Sequence, residues 1–434
     1  MGDEAETYGL TWPGKGRAAA EASAPATGRL EPDPARSVGS DDSPHLFIEG
    51  DNLEVLKLLG GDYAGSVDLI YIDPPYNTGK RLAYDDDFAD HTAGNSSSRD
   101  PGARRHAPWL SMMYPRLLAA AELLADGGVL FVSIDDTELP HLRLLLNEVL
   151  GEEAFLGVLK RRAARKTAHL SATMSDLCDY VVCYARGRLG GRLSTASSTE
   201  ATRPVLNRGN AVSERVLPRG TEARCGDGVH PAGRRCVRSL EFEILDDLVV
   251  QGGRLVGEVR VRGPFRVNQD LLARTVFITR RGGLRRSLLP EELGAPKAMS
   301  DLLDDPEFYN ERGSECLADL LGAPVFEHPK PVGLIKHLVR SVPRPSGDLV
   351  VLDFFAGTGT TAQAVMEVNA EDGTHHRFIM VQRPEPLRQV AKLPDGTRLQ
   401  TIADIGRERI RRVIEGMGAR APGFRAYTVR DDGA

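Results

Sequence analysis

Four consecutive residues, Asp73-Pro74-Pro75-Tyr76, carry the clearest chemistry in this chain. They offer a carboxylate, a backbone carbonyl turned outward by paired prolines, and an aromatic face. That set suits a planar amine gripped through its hydrogens and covered by a ring. The exocyclic amine of a nucleobase is such a group, and it is a poor nucleophile because its lone pair is delocalised into the ring. Two acceptors drawing on its two N–H hydrogens favour a tetrahedral nitrogen. Asp73 supplies one acceptor in this reading and the Pro74 carbonyl the other, with Pro75 stiffening the turn. Stacking on Tyr76 would add about 1–3 kcal/mol. A methyl group would then pass in line from a sulfonium to the nitrogen, so positioning and electrostatics carry most of the catalysis. None of the five cysteines sits in a Pro-Cys motif, and no covalent cysteine intermediate is required. A base inside a duplex cannot reach these groups, so it must be flipped out. Aspartate rather than serine at the first position favours adenine over cytosine.

A second motif runs Asp353-Phe354-Phe355-Ala356-Gly357-Thr358-Gly359-Thr360-Thr361. It joins a strand to a helix, the place where small ligands bind in open α/β sheets. Gly357 and Gly359 let the backbone turn tightly and approach a ligand. The spacing is neither GxGxxG nor a P-loop, and Asp353 would repel a phosphate. An acid suits an ammonium or a hydroxyl. S-adenosylmethionine offers an ammonium, a ribose diol and a sulfonium.

The elements that must position these motifs follow from hydrophobic periodicity. The apolar run 67–72 reads as a buried strand delivering Asp73 to the carboxyl edge of a sheet. Before it come a strand at 46–48, a turn at Gly50-Asp51-Asn52, with Asp51 or Asn52 as helix N-cap, and a helix at 53–59. A polar stretch at 77–108 is too long for an ordinary connection, which marks it as a functional loop or partly mobile. A helix over 109–124, a strand over 129–134 and a helix over 141–150 continue the alternation. Such alternation implies a mainly parallel sheet covered on both faces. Near residue 160 the pattern changes: 160–166 holds five basic residues, 180–184 is a further strand, and 190–290 reads as short strands with turn signals. The α/β pattern returns with a helix at 331–339, strands at 349–353 and 377–382, and helices opening at 362 and 401. The expected domains are a loosely ordered arm over 1–44, a catalytic half over 45–159, a mainly β insert over 160–327 and a cofactor half over 328–434.

Composition bounds the reading further. A chain of 434 residues with 41% hydrophobic and 27% charged residues is globular and long enough for more than one domain. Its net charge of −6 means that any nucleic-acid surface must be a local patch. Cys178, Cys183, Cys225, Cys236 and Cys316 show no CxxC pair, so neither a disulfide framework nor a metal site is indicated, although Cys225 and Cys236 flank a loop with His230. Reduced cysteines and the lack of a signal peptide or membrane-length apolar run point to a cytoplasmic protein without membrane contact.

Together these residues resemble the amino-group DNA methyltransferases of the β class, in which the Asp-Pro-Pro-Tyr motif precedes a recognition insert and the cofactor turn follows it. Within that class the chain is similar to the modification subunits of type III restriction–modification systems. The resemblance is carried by Tyr8-Gly9-Leu10-Thr11-Trp12-Pro13-Gly14-Lys15, by Ile48-Glu49-Gly50-Asp51-Asn52-Leu53-Glu54-Val55-Leu56 and by 71–79. It continues through Trp109-Leu110-Ser111-Met112-Met113-Tyr114-Pro115-Arg116-Leu117, Ser133-Ile134-Asp135-Asp136, His328-Pro329-Lys330-Pro331 and 353–361. It implies a Rossmann-like methyltransferase fold with circularly permuted motif order and a mainly β target-recognition insert. It also implies a site-specific, S-adenosylmethionine-dependent adenine-N6 DNA methyltransferase. Asp51 and Asn52 would lie near the cofactor adenine, Lys330 and Pro331 would begin the helix closing the methionine end, and Gln382 or Glu385 would meet the ribose. Lys160, Arg161, Arg162, Arg165 and Lys166 are the candidate DNA contacts, against the alternative of a solvated basic face. Double-stranded DNA is the expected partner, with a homodimer and a restriction (helicase/nuclease) subunit left open. A cytosine-N4 enzyme, a methylase of an RNA or protein amine, and a DNA-binding specificity subunit without catalysis are the competing readings.

Overall fold

The computed structural model describes residues 9–79, 101–165, 174, 177–197, 202–237, 240–292, 296–343, 347–418 and 421–431. The chain forms two compact units, residues 1–195 with 298–434, and residues 196–297.

The first unit is built on a ten-stranded sheet. Across it the strands run in the order 28–32, 425–431, 46–49, 377–382, 350–353, 67–72, 124–134, 178–185, 155–162 and 302–303. The six strands from 425–431 through 124–134 are mutually parallel. Strands 28–32 and 178–185 run antiparallel to their neighbours. Val67–Ile72 shows why its run is apolar but for Asp68, whose carboxylate accepts from Val350 N at 2.8 Å. Ile70 and Ile72 pack with the helices Asn52–Tyr63, Pro101–Leu123 and Leu139–Leu150, while Leu69 and Tyr71 pack on the other face with Val332–Ser341, Thr360–Asp372 and Ile402–Met417. A strand covered on both faces has no polar side to present. Val351 and Leu352 pair in parallel with Leu69 and Ile70, so the two motif-bearing strands lie side by side.

Three sequence expectations change here. Residues 15–44 are not a loose arm. Lys15–Ser23 is helical, Trp12 Nε1 donates to Ser111 Oγ at 2.9 Å, and Gly28–Pro32 pairs with residues 427–431. The Ala-rich composition reflects helix propensity, and the strand finds its partner at the far end of the chain. The insert is narrower than 160–327. Phe155–Arg162 and Cys178–Ala185 complete the main sheet, and Asn310–Leu321 also belongs to the first unit. The third helix begins at Pro101 rather than Trp109, and residues 80–100 of the polar stretch lie outside the described residues.

The second unit, 196–297, is mainly antiparallel, with a seven-stranded and a four-stranded sheet. Its core gathers Val205, Leu217, Phe242, Ile244, Val261, Leu272 and Ile278.

Candidate active site

Asp73 follows the strand 67–72, Asp353 ends the adjacent parallel strand 350–353, and both open into one cleft of about 340 Å³. Its lining includes Asp51, Asn52, Asp73, Pro75, Lys330, residues 353–358, Thr360, Gln382 and Glu385. Those groups were expected from sequence. Met112, Arg116, Phe326, His328, Arg383 and Ile402 line it as well and were not singled out as site residues. Gly359 caps the helix Thr360–Asp372, and Pro331 caps the helix Val332–Ser341.

On the Asp73 side, the two carboxylate oxygens of Asp73 sit 2.7 and 2.8 Å from Lys330 Nζ. Tyr76 OH donates to Asp73 Oδ1 at 3.0 Å. Burial, reinforced by the Asp73 charge, pushes the Tyr76 phenol well above its usual range, so it stays protonated and remains a donor. Trp109 Nε1 donates to the Pro75 carbonyl at 2.7 Å, which pins the turn. No hydrogen bond from the described residues reaches the Pro74 carbonyl. The backbone exits through Asn77, a non-glycine residue at φ 58°. Its amide donates to Glu138 Oε1 at 2.6 Å and to the Arg105 carbonyl at 2.9 Å.

Glu138 is fully buried, with His106 Nδ1 2.7 Å and His141 Nδ1 2.9 Å from its carboxylate. The composition suggests a metal cage, but the two imidazoles are stacked, centroids 4.2 Å apart and planes at 28°. Glu138 Oε1 is also already engaged by the Asn77 amide and by His106 Nδ1. The cluster braces Asn77 and hence the end of the Asp73–Tyr76 turn. It went unrecognised in the sequence because Glu138 stands 61 residues from Asn77 and the two histidines sit on different helices.

The Asp353 side of the cleft is bound more densely. Asp353 is 2% exposed, accepts from Phe355 N at 3.0 Å, and accepts from Thr361 Oγ1 at 2.5 Å. Burial raises its pKa to about 7 against those two hydrogen bonds, and nearby Asp73 adds to the rise. Such an acid is poised for a cationic or hydroxyl ligand. Gly357 and Gly359 have φ of 51° and 74°, and a Cβ on Gly359 would stand 3.1 Å from the Gly406 carbonyl. Only glycine takes both demands at little cost. Gln382 Oε1 accepts from Gly357 N at 2.6 Å and its Nε2 donates to the Arg383 carbonyl. Gln382 is therefore occupied in holding the turn, and Glu385, half-buried with its pKa raised by burial, is the freer of the two expected ribose groups. Buried Arg409 donates to Thr358 Oγ1 and Thr360 Oγ1 at 3.0 and 2.6 Å. Asp51 caps its helix through Leu53 N and Glu54 N, and Asn52 Nδ2 donates to the Phe354 carbonyl at 2.8 Å. Arg116 bonds both Asn52 and Asp51.

This donor set fits S-adenosylmethionine. Asp353 and Glu385 suit its ammonium and ribose hydroxyls, Arg116, Arg383 and Lys330 suit its carboxylate, and Phe354, Phe355 and Ile402 offer apolar surface for the adenine ring.

The five basic residues proposed as DNA contacts separate. Arg161 is fully buried, bonded to Asp179, to the Phe308 carbonyl at 2.6 Å and to Asn310 Oδ1 at 2.9 Å. It is a structural ion pair, not a surface contact, because alternate residues of a strand face opposite sides. Lys160 and Arg162 point outward, Lys160 pairing with Asp301 and Arg162 with Asp304. Arg165 is exposed, and Lys166 lies outside the described residues.

Residues 67–227 and 266–392 match the model of the N6/N4 DNA methylase family, and the chain belongs to that family. S-adenosylmethionine is the family's methyl donor. The chain is 32% identical to the EcoPI Mod subunit of a type III restriction–modification enzyme from Escherichia phage P1, over 94% of this chain and 68% of that protein. It is 31% identical to the StyLTI Mod subunit of Salmonella typhimurium, over 89% and 60%. With the type II methyltransferase M.KpnI of Klebsiella pneumoniae the identity is 26%, over 80% and 82%. The chain thus spans 60% to 68% of these two type III relatives. A solved structure, TTHA0409 of Thermus thermophilus complexed with S-adenosyl-L-methionine, aligns over 89% of this chain and 100% of its own at 15% identity, with a TM-score of 0.37, too loose a match to support an inference. Among the described residues no helix is long and apolar enough to cross a membrane.

Proposed function

We propose that this chain methylates the N6 amine of adenine in double-stranded DNA as the modification component of a restriction–modification system. The carrying observation is that Asp73 and Asp353 end adjacent parallel strands and share one cleft. In this reading the fold is a Rossmann-like methyltransferase core in which the catalytic strand precedes the cofactor strand along the chain. When bound, S-adenosylmethionine supplies an electrophilic methyl group. The protein's own part is to hold the flipped base. Asp73 accepts one N–H of the amine, the Pro74 carbonyl accepts the second, and Tyr76 covers the ring. As the nitrogen becomes tetrahedral its growing positive charge faces the Asp73 carboxylate, which is oriented in advance by Tyr76 OH. Pro75, pinned by Trp109, and Asn77, pinned by Glu138, keep both acceptors in place. The unit 196–297 reads the target sequence, and the type III relatives make a restriction subunit the expected protein partner.

Purified protein with labelled cofactor and unmethylated genomic DNA tests this. Digestion to nucleosides should yield N6-methyladenine. N4-methylcytosine as the product would overturn the adenine assignment, and a protein that binds DNA yet neither binds cofactor nor transfers methyl would overturn the enzymatic reading.

A further inference from the structure

The amine pocket proposed above already holds an amine. Lys330 Nζ lies 2.7 and 2.8 Å from the two Asp73 oxygens and 5.0 Å from the centre of the Tyr76 ring. An ammonium is a pure donor, as the N–H face of a base amine is, and at that distance it gains from the electron-rich ring face. Carboxylate and ring are two of the three groups assigned to hold the target, the Pro74 carbonyl being the third. The Lys330 side chain is 12% exposed, so the contact is made largely out of water.

We infer that Lys330 is a built-in surrogate for the target amine, filling the Asp73–Tyr76 pocket until a flipped base displaces it, and that cofactor binding draws it away first. This rests on the function proposed above. The two occupants exclude each other. Asp73 Oδ1 already accepts from Tyr76, and the ammonium engages both oxygens. An amine nitrogen that becomes positive during methylation would also be opposed by a cation still resting on Asp73.

The surroundings allow the side chain to move while the backbone stays. Lys330 stands between Pro329 and Pro331, which restrict the main chain. His328 just before them is one of two non-glycine residues with positive φ among the described residues, at 56°, the other being Asn77 after the Asp73–Tyr76 turn. Gly313 packs so tightly that a Cβ there would overlap the Pro329 carbonyl. The four-carbon lysine stem has rotatable bonds that the prolines do not restrict. The cleft that Lys330 shares with Asp353 and Phe355 is the one fitted to the cofactor. The cofactor brings a carboxylate into it, a second anion for which Lys330 can exchange Asp73. The device would also select: an occupant that cannot satisfy Asp73 as well as the ammonium does is turned away.

The test uses the full chain and a duplex bearing its recognition sequence, obtained by long-read methylation sequencing, with fluorescent 2-aminopurine beside the target adenine. Loss of stacking when the target flips raises the fluorescence. With wild-type protein the signal should rise severalfold on adding sinefungin, a cofactor analogue that cannot donate methyl. In Lys330→Met and Lys330→Gln the signal should be high without the analogue and change less than twofold on adding it. In Lys330→Arg it should stay low without the analogue. Wild-type protein that flips the base equally with and without the analogue would overturn the inference, as would neutral variants that keep the wild-type dependence. Because the wild-type comparison needs no variant, a misfolded substitution does not leave the question open. Methylation of the same duplex by wild type is measured in parallel: no product sinks the proposed function, whereas product without cofactor-dependent flipping sinks only the role of Lys330.

Discussion

On the cofactor side of the cleft, nearly every polar group of the turn is held by the protein itself. Asp353 is bonded by Phe355 and Thr361, Gly357 by Gln382, Thr358 and Thr360 by Arg409, and the Phe354 carbonyl by Asn52. On the amine side, Asp73 is held by one neighbour, Tyr76, and by a lysine from a segment 257 residues away, while the Pro74 carbonyl waits unpaired among the described residues. One half is a finished mould and the other is completed by what arrives. That division suits a reaction in which a small invariant cofactor must be bound the same way each time and a large DNA partner must be admitted and released.

Substitutions that separate the halves test this contrast. The largest effect is expected at Asp73. Asp73→Ala should lower methyl transfer by about 10²–10³-fold or more while cofactor binding, followed by calorimetry, changes little. Equal loss of both would erase the distinction between the halves. Next comes the mould itself. Removing the buried Arg409 side chain with Arg409→Ala strands the Thr358 and Thr360 hydroxyls and opens a cavity, so thermal unfolding should register a loss of about 2–5 kcal/mol. Arg161→Ala should cost about 3–5 kcal/mol by leaving Asp179 buried and unpaired, and it should not change the salt dependence of DNA binding beyond what unfolding explains. Gly359→Ala is milder, about 1–3 kcal/mol from positive φ and crowding against Gly406, with weaker cofactor binding.

The smallest effect is a pH dependence. In the folded protein Asp353 titrates near 7, well above an unfolded aspartate. Between about pH 4 and 7 the folded state keeps a proton that the unfolded chain has released, so this residue's contribution to stability falls as pH rises and levels off above 7. Asp353→Asn should remove that decline and stabilise the cofactor-free protein at pH 8 by something on the order of 1–4 kcal/mol. In wild type, cofactor affinity should climb toward pH 7 as the carboxylate ionises. An unchanged pH profile in Asp353→Asn would remove this residue from its assigned role.

Much of this contrast was legible in residue order. Asp73-Pro74-Pro75-Tyr76 and Asp353-Phe354-Phe355-Ala356-Gly357-Thr358-Gly359 each state their chemistry within a few residues, because a turn geometry and its functional groups are local properties. The strand 377–382 came out residue for residue, since a run buried on both faces has an unmistakable pattern. Reading failed where the deciding partner lies elsewhere. The basic run at 160–166 looked like one surface, but strand alternation sends Arg161 inward to an acid on the next strand. The Ala-rich segment before residue 44 looked loose because its strand is completed by residues 427–431.

The sequence by itself determined the two motifs, their order around a β-rich insert, and the alternation of strand and helix that sets them at a sheet edge. Tertiary structure alone decided that Lys330 sits on Asp73, that Glu138 braces Asn77, and that Gln382 serves the glycine turn while Glu385 stays open to the cleft. The physical reason is range. Backbone preferences and burial patterns act over a few residues, whereas a hydrogen bond or ion pair is chosen by whichever donor the completed fold brings within about 3 Å.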